Sequence, residues 1–145
     1  MINILILASL ITFQASEWNV NSKGIAIDGY DPVSYFQNKP QKGSPRLSYG
    51  YKGTTFFFSS EANLSLFRDN PGKYAPKYGG YCAYAMGNSG KKVSINPETY
   101  KITNGKLYLF YNNWGNNTLE PWKKNEDRLK DQADKNWGKI SSTDK

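Results

Sequence analysis

Two glycine turns, each between two short apolar runs, most constrain what this chain can fold into. Asn104-Gly105 separates residues 100–103 from residues 106–111, and Lys52-Gly53 separates residues 47–51 from the β-branched and aromatic run 54–58. Asn-Gly is the strongest short hairpin signal because both residues tolerate positive φ. The sequence therefore predicts two β-hairpins. Hairpins this short are marginally stable alone, so we expect helices to cover them.

The first covering helix is expected in the segment SSEANLSLFRDNPGKY, residues 59–74. Either Ser59 or Ser60 can accept hydrogen bonds from the free backbone N–H groups at its start. Pro71 and Gly72 are expected to end it. Apolar pairs at i,i+4 and i,i+3 spacing predict its buried face, namely Ala62 with Leu66 and Leu64 with Phe67.

A second helix is predicted over about residues 120–140. Apolar residues recur there at spacings of seven, four, four and three on an otherwise charged segment, as on the buried stripe of an amphipathic helix. They are Trp122, Leu129, Ala133, Trp137 and Ile140. The sequence thus predicts an α+β fold, with a small antiparallel sheet of hairpins, short helices packed on it and a C-terminal helix.

A single domain is expected from a chain of 145 residues without an internal repeat or a low-complexity linker. The single cysteine cannot form an internal disulfide, so the fold must rest on a packed core. We place this domain at residues 16–145.

The first fifteen residues, MINILILASLITFQA, differ from the rest of the chain. Residues 4–13 form an apolar run without a charge, and the small residues Ala15 and Ser16 follow it. The run has the length of the apolar region of a signal peptide and is too short to span a bilayer. We therefore predict a signal peptide at residues 1–15, export to the periplasm or the extracellular space, and no stable membrane span after cleavage. A buried N-terminal strand or an uncleaved anchor is the alternative.

The chain is basic, with a formal net charge of +7. Its lysines and arginines are spread along the sequence, whereas nucleic-acid binding normally shows a clustered basic footprint or a known module. We therefore expect no nucleic-acid partner and interpret the charge as a solvated basic surface. Two turn aspartates, Asp28 and Asp31, suit backbone capping better than a catalytic carboxylate pair.

Three segments carry a resemblance to a known family: YDPVSYF at residues 30–36, YKGTTFFFSSEANLSLFRDNPGKYAPKYGGYCAYA at residues 51–85, and GKLYLFYN at residues 105–112. In this order and spacing they resemble the exported branch of the YHS-domain family, over about residues 29–137. The resemblance implies a small treble-clef-like YHS core. It also implies a link to metal handling, because YHS domains occur in heavy-metal-handling proteins, including beside copper-transporting ATPases.

In the metal-binding YHS modules, thiolates supply the ligands for copper or zinc. By this resemblance, the thiol positions fall on Ser34, Ser59 and Asn63, and all three have lost their sulfur. A serine hydroxyl is a poor ligand for a soft ion because its oxygen is hard and does not ionise near neutral pH. No conventional zinc site is therefore expected.

Cys82, in the segment YGGYCAYAMG, is the one thiol of the chain. Met86 follows four residues later and shares a face with it if the segment is helical, so the pair would offer two sulfur ligands to a soft copper-type ion such as Cu(I). A homodimer would double this supply. The alternative is that Cys82 is a small buried hydrophobic residue, as free cysteines often are.

Thiol chemistry at Cys82 is the rival interpretation. A helix that begins after Gly79-Gly80 would direct backbone N–H groups towards a thiolate. An unpaired cysteine in an oxidising compartment is also a candidate for an intermolecular disulfide. A thiolate enzyme usually needs a base, however, and the chain has no histidine. We therefore predict a non-enzymatic binding module, with a redox-responsive protein as the alternative.

The same region is rich in aromatic rings and glycines, which predicts a small-ligand or cofactor pocket, because glycines let a ligand or another backbone approach closely. The candidate residues are Tyr74, Tyr78, Gly79, Gly80, Tyr81 and Tyr84. The alternative is that these tyrosines fill the core with their hydroxyls satisfied at its rim.

Overall fold

The computed structural model of the protein describes residues 17–142. The first predicted hairpin is present: β1 (Ser44–Tyr51) pairs antiparallel with β2 (Thr54–Phe58). Their connection, Lys52-Gly53, has φ values of 46° and 80°, as a type I′ turn requires. Two short 3₁₀ turns, Ile27–Gly29 and Val33–Gln37, precede the hairpin.

The covering helix is also present, as α1 (Glu61–Asp69), followed after Asn70 by the single turn α2 (Pro71–Tyr74). Ser60 is its N-cap, because its hydroxyl accepts a hydrogen bond from the N–H of Asn63 at 3.1 Å. The prediction of the buried face was partly wrong. The face buries Asn63 with Phe67, while Leu66 is 45% exposed. Asn63 was missed because it is polar, and its hydrogen-bond partners lie far away in the sequence.

A 3₁₀ turn at Lys77–Gly80 leads into α3 (Ala83–Ser89). The second predicted hairpin follows, with β3 (Asn96–Thr103) paired to β4 (Lys106–Phe110) across Asn104-Gly105. A third hairpin, β5 (Asn112–Asn113) with β6 (Asn116–Asn117), was not predicted. Each hairpin forms its own two-stranded sheet. The elements confirm the predicted α+β class.

The predicted C-terminal helix is divided in two. α4 (Leu119–Lys124) ends at Asn125, whose φ is −142°, and α5 (Glu126–Ser142) continues. The apolar stripe is confirmed at its first three positions, because Trp122, Leu129 and Ala133 are fully buried. Trp137 and Ile140 are partly buried against the same cluster.

Two apolar clusters share β4 as a common wall. Successive strand residues point to opposite faces, and here both faces are buried. On one face, β1, β2 and α1 form a cluster that includes Phe56, Phe58, Phe67, Leu107 and Leu109. On the other, α3, α4 and α5 form a cluster that includes Met86, Tyr108, Phe110, Trp122 and Leu129.

Within residues 17–142, no helix has both the length and the apolar character needed to cross a bilayer. The predicted signal peptide at residues 1–15 lies outside the described residues.

Candidate functional site

A fully buried carboxylate, Asp31, follows the first 3₁₀ turn. Its Oδ1 accepts hydrogen bonds from the backbone N–H groups of Val33 at 2.8 Å and Ser34 at 3.3 Å. This is the capping role that the turn predicted for Asp31. Hydrogen bonds to an ionised acceptor are roughly twice as strong as neutral ones, so the carboxylate fixes this turn firmly.

The other carboxylate oxygen, Oδ2, binds the junction between β2 and α1. It accepts from the backbone N–H of Ser59 at 2.9 Å, from the Ser59 hydroxyl at 2.7 Å and from Asn63 Nδ2 at 2.7 Å. Asp31 therefore joins two parts of the chain that are about thirty residues apart, through donors supplied by both.

The three positions that the resemblance assigned to lost thiols meet at this carboxylate. Ser59 and Asn63 donate to it directly, and the Ser34 hydroxyl donates to the Asp31 backbone oxygen at 2.6 Å. Ser34 Oγ also accepts from the N–H of Gln41 at 3.0 Å. We call Asp31, Ser34, Ser59 and Asn63 the Asp31 cluster. Its polar groups satisfy one another with hard oxygen and amide groups, so its chemistry is structural and does not suit a soft ion.

Cys82 is fully buried at the N-cap position of α3. Its Sγ lies 3.4 Å from Thr118 Oγ1, and the Thr118 hydroxyl donates its one proton to the Tyr111 carbonyl at 2.6 Å. The thiol must therefore be the donor to Thr118, because a hydroxyl has a single hydrogen to give. This geometry suits a protonated thiol.

Met86 lies one turn further along, fully buried in the second cluster. Its N–H donates to the Cys82 carbonyl at 3.0 Å, so the segment is helical, as the pairing of the two sulfur residues required. Residues 17–142 contain no group of three or more His, Cys, Asp or Glu side chains placed to hold a metal ion. A soft ion at Cys82 and Met86 stays a prediction.

The six candidate ligand residues do not form one pocket. Tyr74 packs edge-on against Phe36 in the first cluster, at 5.2 Å between ring centroids. Tyr81 lies against Trp137 at 6.4 Å. Tyr84 lines a depression above Cys82. Tyr78 and Gly79 line a different groove, which shares no bordering residue with the depression beside Tyr84.

At Gly79 and Gly80, the close approach that the glycines allow is made by the chain itself. The backbone N–H of Asn19 donates to the Gly79 carbonyl at 2.8 Å, and Asn19 Nδ2 donates to the Gly80 carbonyl at 3.1 Å. A Cβ on Gly79 would lie 2.3 Å from the Glu17 carbonyl oxygen. The two glycines therefore let residues 17–19 pack directly against this turn, which places Trp18 at the edge of the groove that Tyr78 lines.

The groove beside Tyr78 has a volume of about 290 Å³. Trp18 is fixed at its edge, because its indole Nε1 donates to the Lys52 carbonyl at 3.1 Å. Elements far apart in the sequence contribute the aromatic walls, which are Trp18, Tyr51, Tyr78 and Trp137.

Three lysines, Lys52, Lys77 and Lys106, border this groove. Lys77 Nζ lies 3.7 Å from Asp134 Oδ1, at the distance of a salt bridge. Among residues 17–142, Lys52 and Lys106 form no salt bridge. We call this site the lysine groove. Lys106 Nζ donates to the Gly72 carbonyl at 3.5 Å and Lys52 Nζ lies 5.4 Å from the centre of the Tyr51 ring, so neither contact neutralises its charge. Three lysines against one acidic residue, Glu17, make the border of the groove attractive to anions.

The Tyr78 hydroxyl donates to Asp134 Oδ1 at 2.8 Å. Burial first, and then this hydrogen bond to a carboxylate, raise the pKa of Tyr78 well above its usual range. The phenol therefore keeps its proton at neutral pH. Its ring forms a wall of the groove, its one proton is donated to Asp134, and it is unsuited to act as a base.

Comparison with known families identifies the segment of the chain that contains most of the Asp31 cluster. Residues 32–78 match the family model of the YHS domain. This YHS segment includes Ser34, Ser59 and Asn63 of the Asp31 cluster, and it ends at Tyr78 in the wall of the lysine groove. Cys82 lies beyond it. No curated protein and no solved structure matches the chain.

Sequence reasoning missed most of the lysine groove. Lys52 was interpreted as a turn residue and Trp137 as part of a buried stripe, whereas Trp18 and Lys106 were not singled out. No local pattern relates these residues, because each comes from a different element and only the packing of the chain brings them together.

Proposed function

We propose that this protein is an exported, non-catalytic binding module of the YHS type, and that its ligand occupies the lysine groove. The observation that carries the proposal is a concave surface of about 290 Å³ with four aromatic walls and two lysines, Lys52 and Lys106, that have no salt-bridge partner among the described residues. Small-molecule sites characteristically combine an apolar lining with a few polar groups of this kind.

The chemistry of the groove points to a small ligand with an anionic group and a planar apolar part. Lysine ammonium groups are compact charges that attract carboxylate, sulfate or phosphate. The rings of Trp18 and Trp137 offer apolar faces for a flat partner. Neutral Tyr78 does not compete for the lysines.

Export is supported by the apolar run at residues 4–13 and the small residues after it. Among the described residues, Glu17 is the first to border the lysine groove, so cleavage after residue 15 would leave all of the groove residues named above in the mature protein. Membership of the exported YHS branch is part of the same proposal.

Calorimetric titration of the full chain with phenyl phosphate tests the groove. We expect binding that is weaker for inorganic phosphate and for benzyl alcohol, which each carry half of the required chemistry. A Lys52→Asn/Lys106→Gln variant should lose at least about tenfold in affinity. Asn retains the Lys52-Gly53 turn because it tolerates positive φ.

Lys39→Gln is the matched control, because Lys39 is exposed and lies outside the groove. It should bind phenyl phosphate as the parent chain does. Equal binding by the double variant and the control, or no binding to the parent, would refute the lysine groove as a site for aromatic anions.

Soft-metal handling at Cys82 is the second candidate. It is favoured by the placement of Cys82 and Met86 on one helical turn, and residues 83–85 between them carry no charge. Anaerobic titration with Cu(I), comparing the parent with Cys82→Ser and Met86→Leu, tests it. Stoichiometric copper that both variants lose supports it, and equal uptake by all three proteins contradicts it.

The thiol alternative, an intermolecular disulfide through Cys82, requires the buried thiol to become accessible. Non-reducing electrophoresis distinguishes it from the first two functions. A dimer that Cys82→Ser abolishes would support it, and a thiol that reacts with a labelling reagent only after unfolding would oppose it.

A further inference from the structure

The third hairpin presents an exposed tryptophan on an uncharged stretch of the chain. Residues 111–118, YNNWGNNT, carry no charge in a protein with a net charge of +7. Trp114 is 92% exposed at the tip between β5 and β6. Tryptophan is enriched at binding surfaces because its ring offers apolar area and its N–H a polar handle.

Trp114 is held out by a constrained backbone. Its φ is 53°, in the left-handed region, and the φ of Gly115 is 77°. This conformation costs an L-residue about 1–2 kcal/mol, and Asn is the residue that a type I′ turn prefers at this position. The chain thus keeps a bulky ring where a small polar residue would be more stable.

The base of the hairpin is pinned by side chains. Asn112 Nδ2 donates to Thr99 Oγ1 at 3.1 Å, and Asn96 Nδ2 donates to the Asn112 carbonyl at 3.4 Å. On the other side, the Thr118 hydroxyl donates to the Tyr111 carbonyl at 2.6 Å. The tip is therefore presented by a fixed support, which lowers the entropy lost when a ligand binds.

Two depressions flank the hairpin and share Tyr111 as a wall. One, of about 280 Å³, is bordered on the hairpin side by Asn112 and Asn113. The other, also about 280 Å³, is bordered by Tyr84, Asn88 and Asn116. No charged side chain of the described residues lines either depression.

The groups offered by this surface match a neutral polyhydroxylated ligand. An asparagine amide both donates and accepts hydrogen bonds, as a sugar hydroxyl does. The side chains of Asn88 and Asn116 are exposed and make no hydrogen bond within residues 17–142. Aromatic rings supply flat apolar area for the C–H face of a sugar ring. Anionic lipids or phosphates would instead need cationic groups here.

We propose that this neutral face, formed by Tyr84, Asn88, Tyr111, Asn113, Trp114 and Asn116, binds an uncharged oligosaccharide that crosses the third hairpin and stacks on Trp114. This face shares no residue with the lysine groove. Sugar binding here can therefore be tested independently of ligand binding in that groove.

The test is calorimetric titration of the full chain with cellohexaose, maltohexaose and chitohexaose at millimolar concentrations. We expect at least one of them to bind, and Trp114→Asn to weaken that binding by at least about tenfold. Asn suits the turn better than Trp, so the variant should fold with an unchanged or higher melting temperature. Trp114→Tyr keeps a ring and should retain most of the affinity. Asn88→Ala/Asn116→Ala should weaken binding while leaving the hairpin intact.

The Lys52→Asn/Lys106→Gln variant is the control and should bind the sugar as the parent does. The proposal is overturned if none of the three hexasaccharides binds, or if Trp114→Asn binds as tightly as the parent. It is equally overturned if the chain binds heparin or anionic lipid vesicles through Trp114 and not the neutral sugars.

Discussion

At the scale of single residues, the Asp31 cluster shows how a buried carboxylate is tolerated without a salt bridge. Removing a carboxylate from water is costly, and no cation lies at salt-bridge distance from Asp31 among the described residues. Donors from Val33, Ser34, Ser59 and Asn63 replace water instead. Ser34, Ser59 and Asn63, which the resemblance aligns with thiol positions, are here part of a hydrogen-bonded support.

Asp31→Asn should destabilise the protein by about 3 kcal/mol. An amide has one oxygen, so donors on one side of the cluster would face an NH₂ group and lose their acceptor. Chemical denaturation at neutral pH measures the effect. Asp28→Asn is the matched control, because Asp28 is exposed in the preceding 3₁₀ turn with φ of 51°, which Asn accepts. Equal stability of the two variants would contradict the role given to Asp31.

At the scale of elements, α3 and α5 pack so closely that Gly87 has no space for a side chain. A Cβ at this position would lie 2.4 Å from the Leu129 carbonyl oxygen. The contact is with backbone, which cannot rotate away as a side chain does. The close approach is what allows Met86 and Leu129 to meet in the second cluster.

Gly87→Ala should therefore lower the free energy of unfolding by about 2 kcal/mol, the usual effect of overpacking, although Ala favours a helix over Gly. Gly138→Ala is the matched change in α5, where a Cβ would meet nothing within 4 Å. It should stabilise the protein by about 0.5–1 kcal/mol through helix propensity alone. Thermal unfolding of both variants gives the comparison. The same sign for the two changes would rule out the tight packing at Gly87.

At the scale of the whole molecule, Glu126 at the start of α5 is tied to β3. Lys101 Nζ donates to Glu126 Oε2, and Thr103 Oγ1 donates to Glu126 Oε1 at 2.6 Å. Burial acts to raise the pKa of Glu126, but the hydrogen bonds from Lys101 and Thr103 outweigh it and lower the pKa below its ordinary value of 4.5. The folded state thus binds fewer protons here than the unfolded state.

This link should make stability depend on pH in the acid range. The contribution of Glu126 is fully present above about pH 4.5 and is lost as pH falls through the lower pKa of the folded state. Glu126→Gln should lower the free energy of unfolding by about 1 kcal/mol at pH 7. This difference in stability between the variant and the parent should shrink as pH falls below 4.5. Denaturation curves across the acid range measure it.

Glu120→Gln is the control for the acid-range experiment, because its pair with Lys123 is largely exposed and should contribute little at any pH. The link to β3 would be contradicted if the difference in unfolding free energy between Glu126→Gln and the parent stayed constant as the pH fell.

The pattern of the chain determined the hairpins at Lys52-Gly53 and Asn104-Gly105, the helix capped by Ser60 and the buried stripe of Trp122, Leu129 and Ala133. These features depend on contacts within a few residues, which turn chemistry and periodicity encode directly. Tertiary structure decided the rest: that Asn63 faces Asp31, that Gly79 admits residues 17–19, and that Lys52, Lys106 and Trp18 border one groove. Each of these contacts joins residues far apart in the sequence, and only the packing of whole elements fixes their distance, because no local preference specifies which distant side chain fills a given space.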